Sequence, residues 1–268
     1  MVATFEYRGD SLHPRGTSPT LAAASAALPA GAYTSLRTYG GRRVLRLAQH
    51  VRRLEESLPD RPSSLAASTV RAALTLALKA TGHTESRLRL THAPPRLFVS
   101  VEPFAPLPEA SYRDGVSCVT LGLRRQNPHA KDTRFIATAD LAYRALPPGV
   151  QEGLMLGEEG AILEGLSSNF FALARGELRT EEERVLHGVT RALILEVGRG
   201  ILPVILRPVR VDQLPEVDEC FITSVSREIL PAVRIDGHPI GGGRPGPVTR
   251  DLMGRWATLV QQEAEELF

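Results

Sequence analysis

At 268 residues and a formal net charge of +2, the chain is long enough for one large core or two modest ones, and too mildly charged to suggest nucleic acid as a partner. A composition 43% hydrophobic and 23% charged is that of an ordinary globular protein. Cys118 and Cys220 lie in apolar, strand-like runs without metal-ligand spacing, so buried free thiols and no bound metal are expected. Leu21 to Ala32 is alanine-rich, broken by Pro29 and too short to span a membrane. Met1 to Asp10 lacks a basic region followed by an apolar block. The expectation is a cytoplasmic protein that meets neither membrane nor nucleic acid.

Residues 1–30 give weak signals, with turn formers at Pro14, Gly16 and Pro19. Tyr33 to Tyr39 reads as a strand, Gly40-Gly41 as a hairpin turn and Arg43 to Arg46 as the return strand. Leu47, Val51, Leu54 and Leu58 then mark one face of a helix, and a second amphipathic helix covers 66–80. Arg87 to Thr91 and Leu97 to Val101 flank Pro94-Pro95 as a hairpin, and Val116 to Leu123 is a further strand.

Beyond 131 the pattern predicts helices at 137–146, 190–198 and about 248–266. Strands are expected at 153–156, 161–163, 170–174, 203–209 and 220–223. Strands outnumber helices and hairpin turns recur, which makes the class α+β. Two α/β lobes are expected: a small one over 1–120, a linker over 121–130, and a larger one over 131–268.

Lysine is scarce here, with Lys79 and Lys131 the two in the sequence. Arginine stays protonated at any ordinary pH, whereas a lysine can lose its proton and attack a carbonyl. Lys79 falls opposite the apolar stripe of its helix and reads as a solvated charge. Lys131 follows a strand in Asn127-Pro128-His129-Ala130-Lys131-Asp132, where the chain passes between units.

From Lys131 onward the chain carries Glu164-Gly165-Leu166-Ser167-Ser168-Asn169-Phe170-Phe171, then His187-Gly188-Val189-Thr190-Arg191. Asp218-Glu219-Cys220-Phe221-Ile222-Thr223-Ser224 follows, with Pro231 after it. Upstream stand Gly31-Ala32-Tyr33-Thr34-Ser35-Leu36-Arg37 and His50-Val51-Arg52-Arg53-Leu54-Glu55-Glu56-Ser57. In this order and spacing the segments resemble the fold-type IV pyridoxal-phosphate enzymes, the class IV aminotransferase family. That family includes branched-chain and D-amino acid aminotransferases and aminodeoxychorismate lyase.

The resemblance implies a two-lobed, D-amino acid aminotransferase-like fold, pyridoxal 5'-phosphate between the lobes, and a homodimer acting on a small carboxylate substrate. It implies that Lys131 is the catalytic residue, forming the Schiff base and shuttling the proton. Glu164 would pair with the pyridine nitrogen. Thr190, with the amides of Val189 and Thr190 at a helix N-terminus, would hold the phosphate together with Arg53 and Ser224. Ser167 and Asn169 belong to the same cofactor segment, and Val225 would offer a backbone amide.

Several positions depart from the family pattern. Val225 stands where threonine is usual, Leu166 replaces a small residue, and Ile136 replaces a tyrosine. Arg89-Leu90-Thr91-His92-Ala93 stands where many members read Thr-Arg-Gly, so the D-amino acid enzymes' carboxylate arginine is absent. Another cation must then hold the substrate carboxylate. His92 or Arg89 is expected first, then Arg37, which shares a strand face with Tyr33 and Ser35, and Arg134. A class IV aminotransferase is the leading expectation. Thr34-Ser35 favours an aminodeoxychorismate lyase releasing pyruvate as the alternative, and Val225 and Leu166 favour a non-catalytic cofactor-binding scaffold.

Overall fold

The computed structural model describes residues 1–58 and 65–268. Contacts divide the chain into two compact units: 1–105 with 130–138 and 260–268, and 106–129 with 139–259. This differs from the division expected at 121–130. The chain enters the second unit by 106, and Lys131 belongs to the first unit, because its backbone pairs there rather than in the larger lobe.

The first unit contains β1 (Val2–Arg8), β2 (Ser11–Ser18), α1 (Leu21–Ala26), β3 (Ala32–Arg37), β4 (Arg43–Leu45), α2 (Leu47–Glu56), α3 (Ala67–Thr81), β5 (Ser86–Ala93) and β6 (Arg96–Pro103). Five strands form an antiparallel sheet in the order β2-β1-β6-β5-β3. The strands alternate, so Leu36 of β3, Leu88 and Leu90 of β5, and Val99 and Val101 of β6 join one apolar cluster. The stripes of α2 (Leu47, Val51, Leu54) and α3 (Val70, Ala73, Leu74, Ala77) complete it. Leu54 is fully buried, and truncating such a leucine to alanine costs about 2–5 kcal/mol. Lys79 is exposed, its ammonium 4.8 Å from the Phe268 ring.

The hairpin expected around Gly40-Gly41 is reduced to one bridge, Tyr39 with Arg43. β3 pairs with β5, while β4 pairs with a strand at the far end of the sequence. That end also supplies the start of α2. Arg46 precedes the helix in a left-handed conformation without a side-chain cap, and the Leu47 N–H donates to the Glu265 carboxylate at 3.0 Å.

The second unit contains α4 (Glu109–Arg113), β7 (Val116–Leu121), most of α5 (Arg134–Arg144), β8 (Val150–Leu156), β9 (Ile162–Gly165), β10 (Asn169–Ala174), β11 (Glu177–Arg179), α6 (Val189–Gly198), β12 (Val204–Ile205), β13 (Val217–Ser224), β14 (Glu228–Ile235), β15 (His238–Pro239) and most of α7 (Pro247–Glu263). The final strand, β16 (Ala264–Glu266), is the partner of β4 in the first unit. The strands run β10-β13-β14-β7-β8-β9, and β9 pairs back to β10 through Glu164 and Asn169, closing a ring of six. β7 lies parallel to both β8 and β14; the other neighbours in the ring are antiparallel.

β10 and β13 are apolar on both sides because both of their faces are covered. Phe170 and Ala172 oppose Ile222 and Cys220 on one face. On the other, Phe171 stacks on Phe221 with centroids 5.1 Å apart. Both cysteines are free and buried; burial pushes the Cys118 thiol up to about 12, leaving it inert. The long strand expected at 203–209 is two residues, and α7 stops at Glu263 to let β16 pair.

Candidate active site

Lys131 is held by its main chain along the edge of the five-stranded sheet, beside β3. Its carbonyl accepts the Tyr33 N–H at 2.8 Å, and Thr133 N–H donates to Gly31 O at 2.9 Å. The Lys131 N–H donates to Ser57 Oγ at 3.0 Å, and that hydroxyl donates to Arg53 O at 2.7 Å, at the end of α2. The backbone is thus pinned on both sides, with the lysine Nζ 4.9 Å from the centroid of the Tyr33 ring.

On the opposite face of β3, Thr34 is fully buried. Arg53 Nη2 donates to Thr34 Oγ1 at 2.7 Å, so the threonine hydrogen is free to donate to His50 Nδ1 at 2.8 Å. Arg53 is 8% exposed while neighbouring Arg52 is exposed; helical register selects the inward arginine of the pair. Burial, then the charges of Arg53 and Lys131, hold the His50 imidazole well below its ordinary value.

The unfolded chain therefore takes up a proton at a higher pH than the folded one, so this contribution to stability is present above the ordinary histidine value and lost as pH falls below it. Stability is expected to fall below about pH 6.5, with a slope approaching about 1.4 kcal/mol per pH unit from this group. Urea midpoints at pH 7.5 and 5.5 measure it. The loss should shrink in His50→Asn, whose amide oxygen accepts as Nδ1 does; an unchanged loss would remove His50 as its source.

In the second unit Glu164 is 2% exposed at the end of β9. Its carboxylate accepts from Arg125 Nε at 2.8 Å, Asn169 Nδ2 at 3.2 Å and the Leu186 N–H at 3.2 Å. Asn169 Nδ2 also donates to Leu186 O at 2.7 Å. Gly188 follows, and a Cβ there would lie 2.3 Å from Asn169 Oδ1, so a glycine is what lets the chain pass. It leads directly into α6, which has no side-chain cap and opens on buried Val189 and Thr190. Buried Arg191 ties that first turn to Glu181 O at 2.7 Å and to the Glu182 carboxylate.

Other expected residues stand apart from these clusters, except Arg89, which lies over the same Tyr33 ring as Lys131. Ser167 is exposed and bonded to Arg227 Nη2 and Tyr143 OH, both at 2.6 Å. Ser224 Oγ accepts the Arg227 N–H and Nε–H, each at 3.2 Å, in the turn that contains Val225. His92 is 4% exposed and on the core-facing side of β5 with Leu88 and Leu90; strand alternation turns it from the Tyr33 face, and burial lowers its imidazole pKa. Arg89 does share that face, with Tyr33 4.8 Å from its guanidinium. Its Nη1 is committed to Leu21 O at 2.9 Å and Ser25 Oγ at 2.8 Å of α1. Ser35 pairs with it in register. Arg37 stacks on Tyr39 and Phe104, and Arg134 is exposed and bonded to Asp132.

Sequence reasoning did not single out Arg125, which lies in the segment expected to be linker and has no local signature. Ser57 closes the His50–Ser57 segment that carries part of the resemblance, but its bond to the Lys131 N–H joins residues distant in sequence and gave no role to read there.

The family model for amino-transferase class IV matches residues 31–235, a span containing both clusters. The chain belongs to the class IV aminotransferase family. Pyridoxal phosphate is the cofactor of this class. The branched-chain-amino-acid aminotransferase of Pseudomonas aeruginosa is 31% identical over 166 residues, 59% of this chain and 54% of that protein. The D-alanine aminotransferase of Bacillus licheniformis is 30% identical over 149 residues, 54% of this chain and 52% of that protein. The matches thus span little more than half the length of these relatives. Among solved structures, the branched-chain aminotransferase of Thermoproteus uzoniensis with norvaline aligns over 99% of this chain and 100% of that one. Its TM-score of 0.79 at 22% identity shows the shared fold-type IV architecture.

Proposed function

We propose that this chain is a pyridoxal-phosphate-dependent aminotransferase acting on branched-chain amino acids. Lys131 is the residue that carries the cofactor and moves the proton at substrate Cα. The observation that carries this reading is the pinned Lys131 backbone, which sets the amine against the Tyr33 ring. The residues present fit the cofactor chemically. Lys131 offers a primary amine for its aldehyde; Arg53 and the uncapped start of α6 offer positive charge and N–H donors for its phosphate; Glu164 offers a buried carboxylate for its ring nitrogen.

When bound, the cofactor would supply a sink for the electron pair left at Cα. Lys131 Nζ takes up the Cα proton and returns it, a step in which general base catalysis contributes about 10²–10⁴-fold. Arg125, Asn169 and the Leu186 amide hold Glu164 in one orientation. Arg53, buried and braced by Thr34, holds its charge in place.

Branched-chain substrates are favoured by His92 standing where the D-amino acid enzymes place an arginine, and by the names of several relatives and solved neighbours, with D-alanine aminotransferases also among the relatives. The lyase alternative rested on Thr34-Ser35, but the Thr34 hydroxyl is buried between Arg53 and His50 on the core-facing side of the strand. The scaffold alternative rested partly on Leu166, which is 1% exposed and packs over Gly153.

The expected result is turnover of leucine, isoleucine or valine with 2-oxoglutarate. Turnover of D-alanine alone, or pyruvate released from aminodeoxychorismate, would overturn the substrate assignment. The proposal includes a homodimer, for which α5 offers a face without a buried side chain and with Leu141 69% exposed; light scattering reads it. It also includes a cytoplasmic location, supported by the two free, buried cysteines. No helix among the described residues is long and apolar enough to cross a membrane.

A further inference from the structure

Glu152 of β8 and Arg227 of the β13–β14 turn form an ion pair inside the second unit, 0% and 8% exposed, with Nη2 and Oε2 2.9 Å apart. The same Glu152 oxygen accepts from Ser168 Oγ at 2.8 Å, and Oε1 accepts the Gly153 N–H at 3.1 Å. Arg227 reaches Ser167 Oγ through Nη2 at 2.6 Å, and Tyr143 OH bonds that hydroxyl at 2.6 Å. Its main-chain N–H and Nε–H both donate to Ser224 Oγ. Two turns are thereby braced by one pair: the one joining β9 to β10, and the one joining β13 to β14.

The brace also reaches the residue after Glu164. A Cβ on Gly165 would lie 2.2 Å from Ser168 Oγ and 2.8 Å from Glu152 Cδ, so the strand end carrying Glu164 is packed directly against this carboxylate. A buried ion pair contributes little to net stability, because removing both charges from water offsets their attraction; apolar replacements are often neutral or stabilising. What the pair does supply is geometry. Val225 has no hydroxyl with which to tie down its own turn, whereas the Arg227 fork ties that turn through Ser224.

We propose that Glu152 and Arg227 are a positioning pair for the cofactor, holding the Ser224–Ser226 turn, with its backbone amides, in the conformation that receives the phosphate. This rests on the function proposed above. The test is titration of cofactor-depleted protein with pyridoxal phosphate, read by its visible absorption, with thermal melts of the same samples. Wild type is compared with Arg227→Lys and with the double variant Glu152→Gln, Arg227→Met, which leaves no unpaired buried charge.

The double variant is expected to melt at or above wild type yet bind the cofactor on the order of tenfold more weakly. Arg227→Lys keeps the charge opposite Glu152 but not the fork, and should fall between the two. Unchanged affinity in the double variant overturns the proposal, as does weaker binding accompanied by a matching loss of folded protein. Wild type that binds no pyridoxal phosphate would instead overturn the proposed function itself.

Discussion

Lys131→Ala is expected to give a folded protein that no longer retains pyridoxal phosphate covalently after borohydride treatment and has lost transamination. The fold should survive because Lys131 is anchored through its N–H and carbonyl, which alanine keeps. The chemistry should not survive, because no other amine takes its place: Lys79 is exposed on α3, 4.8 Å from the Phe268 ring. The proton transfer alone accounts for about 10²–10⁴-fold in rate. Lys79→Ala should be indistinguishable from wild type. Mass spectrometry after reduction reads the covalent link, and circular dichroism the fold; a borohydride-stable adduct in Lys131→Ala would move the nucleophile elsewhere.

The second large effect is expected at Glu164. Its side chain is 3% exposed and that of Arg125 is 5% exposed, so Glu164→Ala removes a carboxylate that faces a buried guanidinium in the second unit. Breaking such a pair from one side costs about 3–5 kcal/mol, enough to lower Tm by on the order of 10 °C. Glu164→Gln keeps an oxygen for Arg125 and for the Leu186 amide and should lose much less stability. It lacks the negative charge, so turnover should fall by about 10²-fold while the cofactor stays bound. Thermal melts separate the two variants from each other, and steady-state rates separate Glu164→Gln from wild type. Wild-type turnover in Glu164→Gln would show that this carboxylate serves Arg125 and the fold rather than the cofactor.

Both candidate centres were legible as segments. Glu164 and Asn169 are five residues apart on consecutive strands, and Gly188-Val189-Thr190 opens a helix, so motif spacing carried them. Arg53 was legible up to its register; α2 buries it and leaves Arg52 exposed. Which cation would hold a substrate carboxylate was not legible. Arg37, Arg89 and Arg134 are all long, charged side chains on or beside the expected segments, and the sequence contains nothing that says which ones are committed elsewhere. The structure commits Arg89 to α1, Arg37 to Tyr39 and Phe104, and Arg134 to Asp132. Within residues 1–30, β1 alternates in burial but carries polar Thr4 and Glu6 on its buried face, and β2 does not alternate at all, so both are strands by pairing: β1 lies between β2 and β6.

What the sequence determined by itself is local: strand and helix periodicity, the turns, two buried cysteines, and a lysine in register with a carboxylate, a helix start and an arginine. Those signals are carried by neighbours within a few residues, where backbone geometry alone dictates which side chains share a face. Tertiary structure decided everything that depends on long-range pairing. It set Lys131 on the edge of β3, a hundred residues away in sequence, and gave the start of α2 a carboxylate from the C-terminal end. It closed the six-stranded ring through Glu164 and Asn169, and buried Glu152 against Arg227. Each of these is a hydrogen bond or ion pair between distant residues. Such bonds form only once burial has removed water as the competing partner, and no local pattern records them.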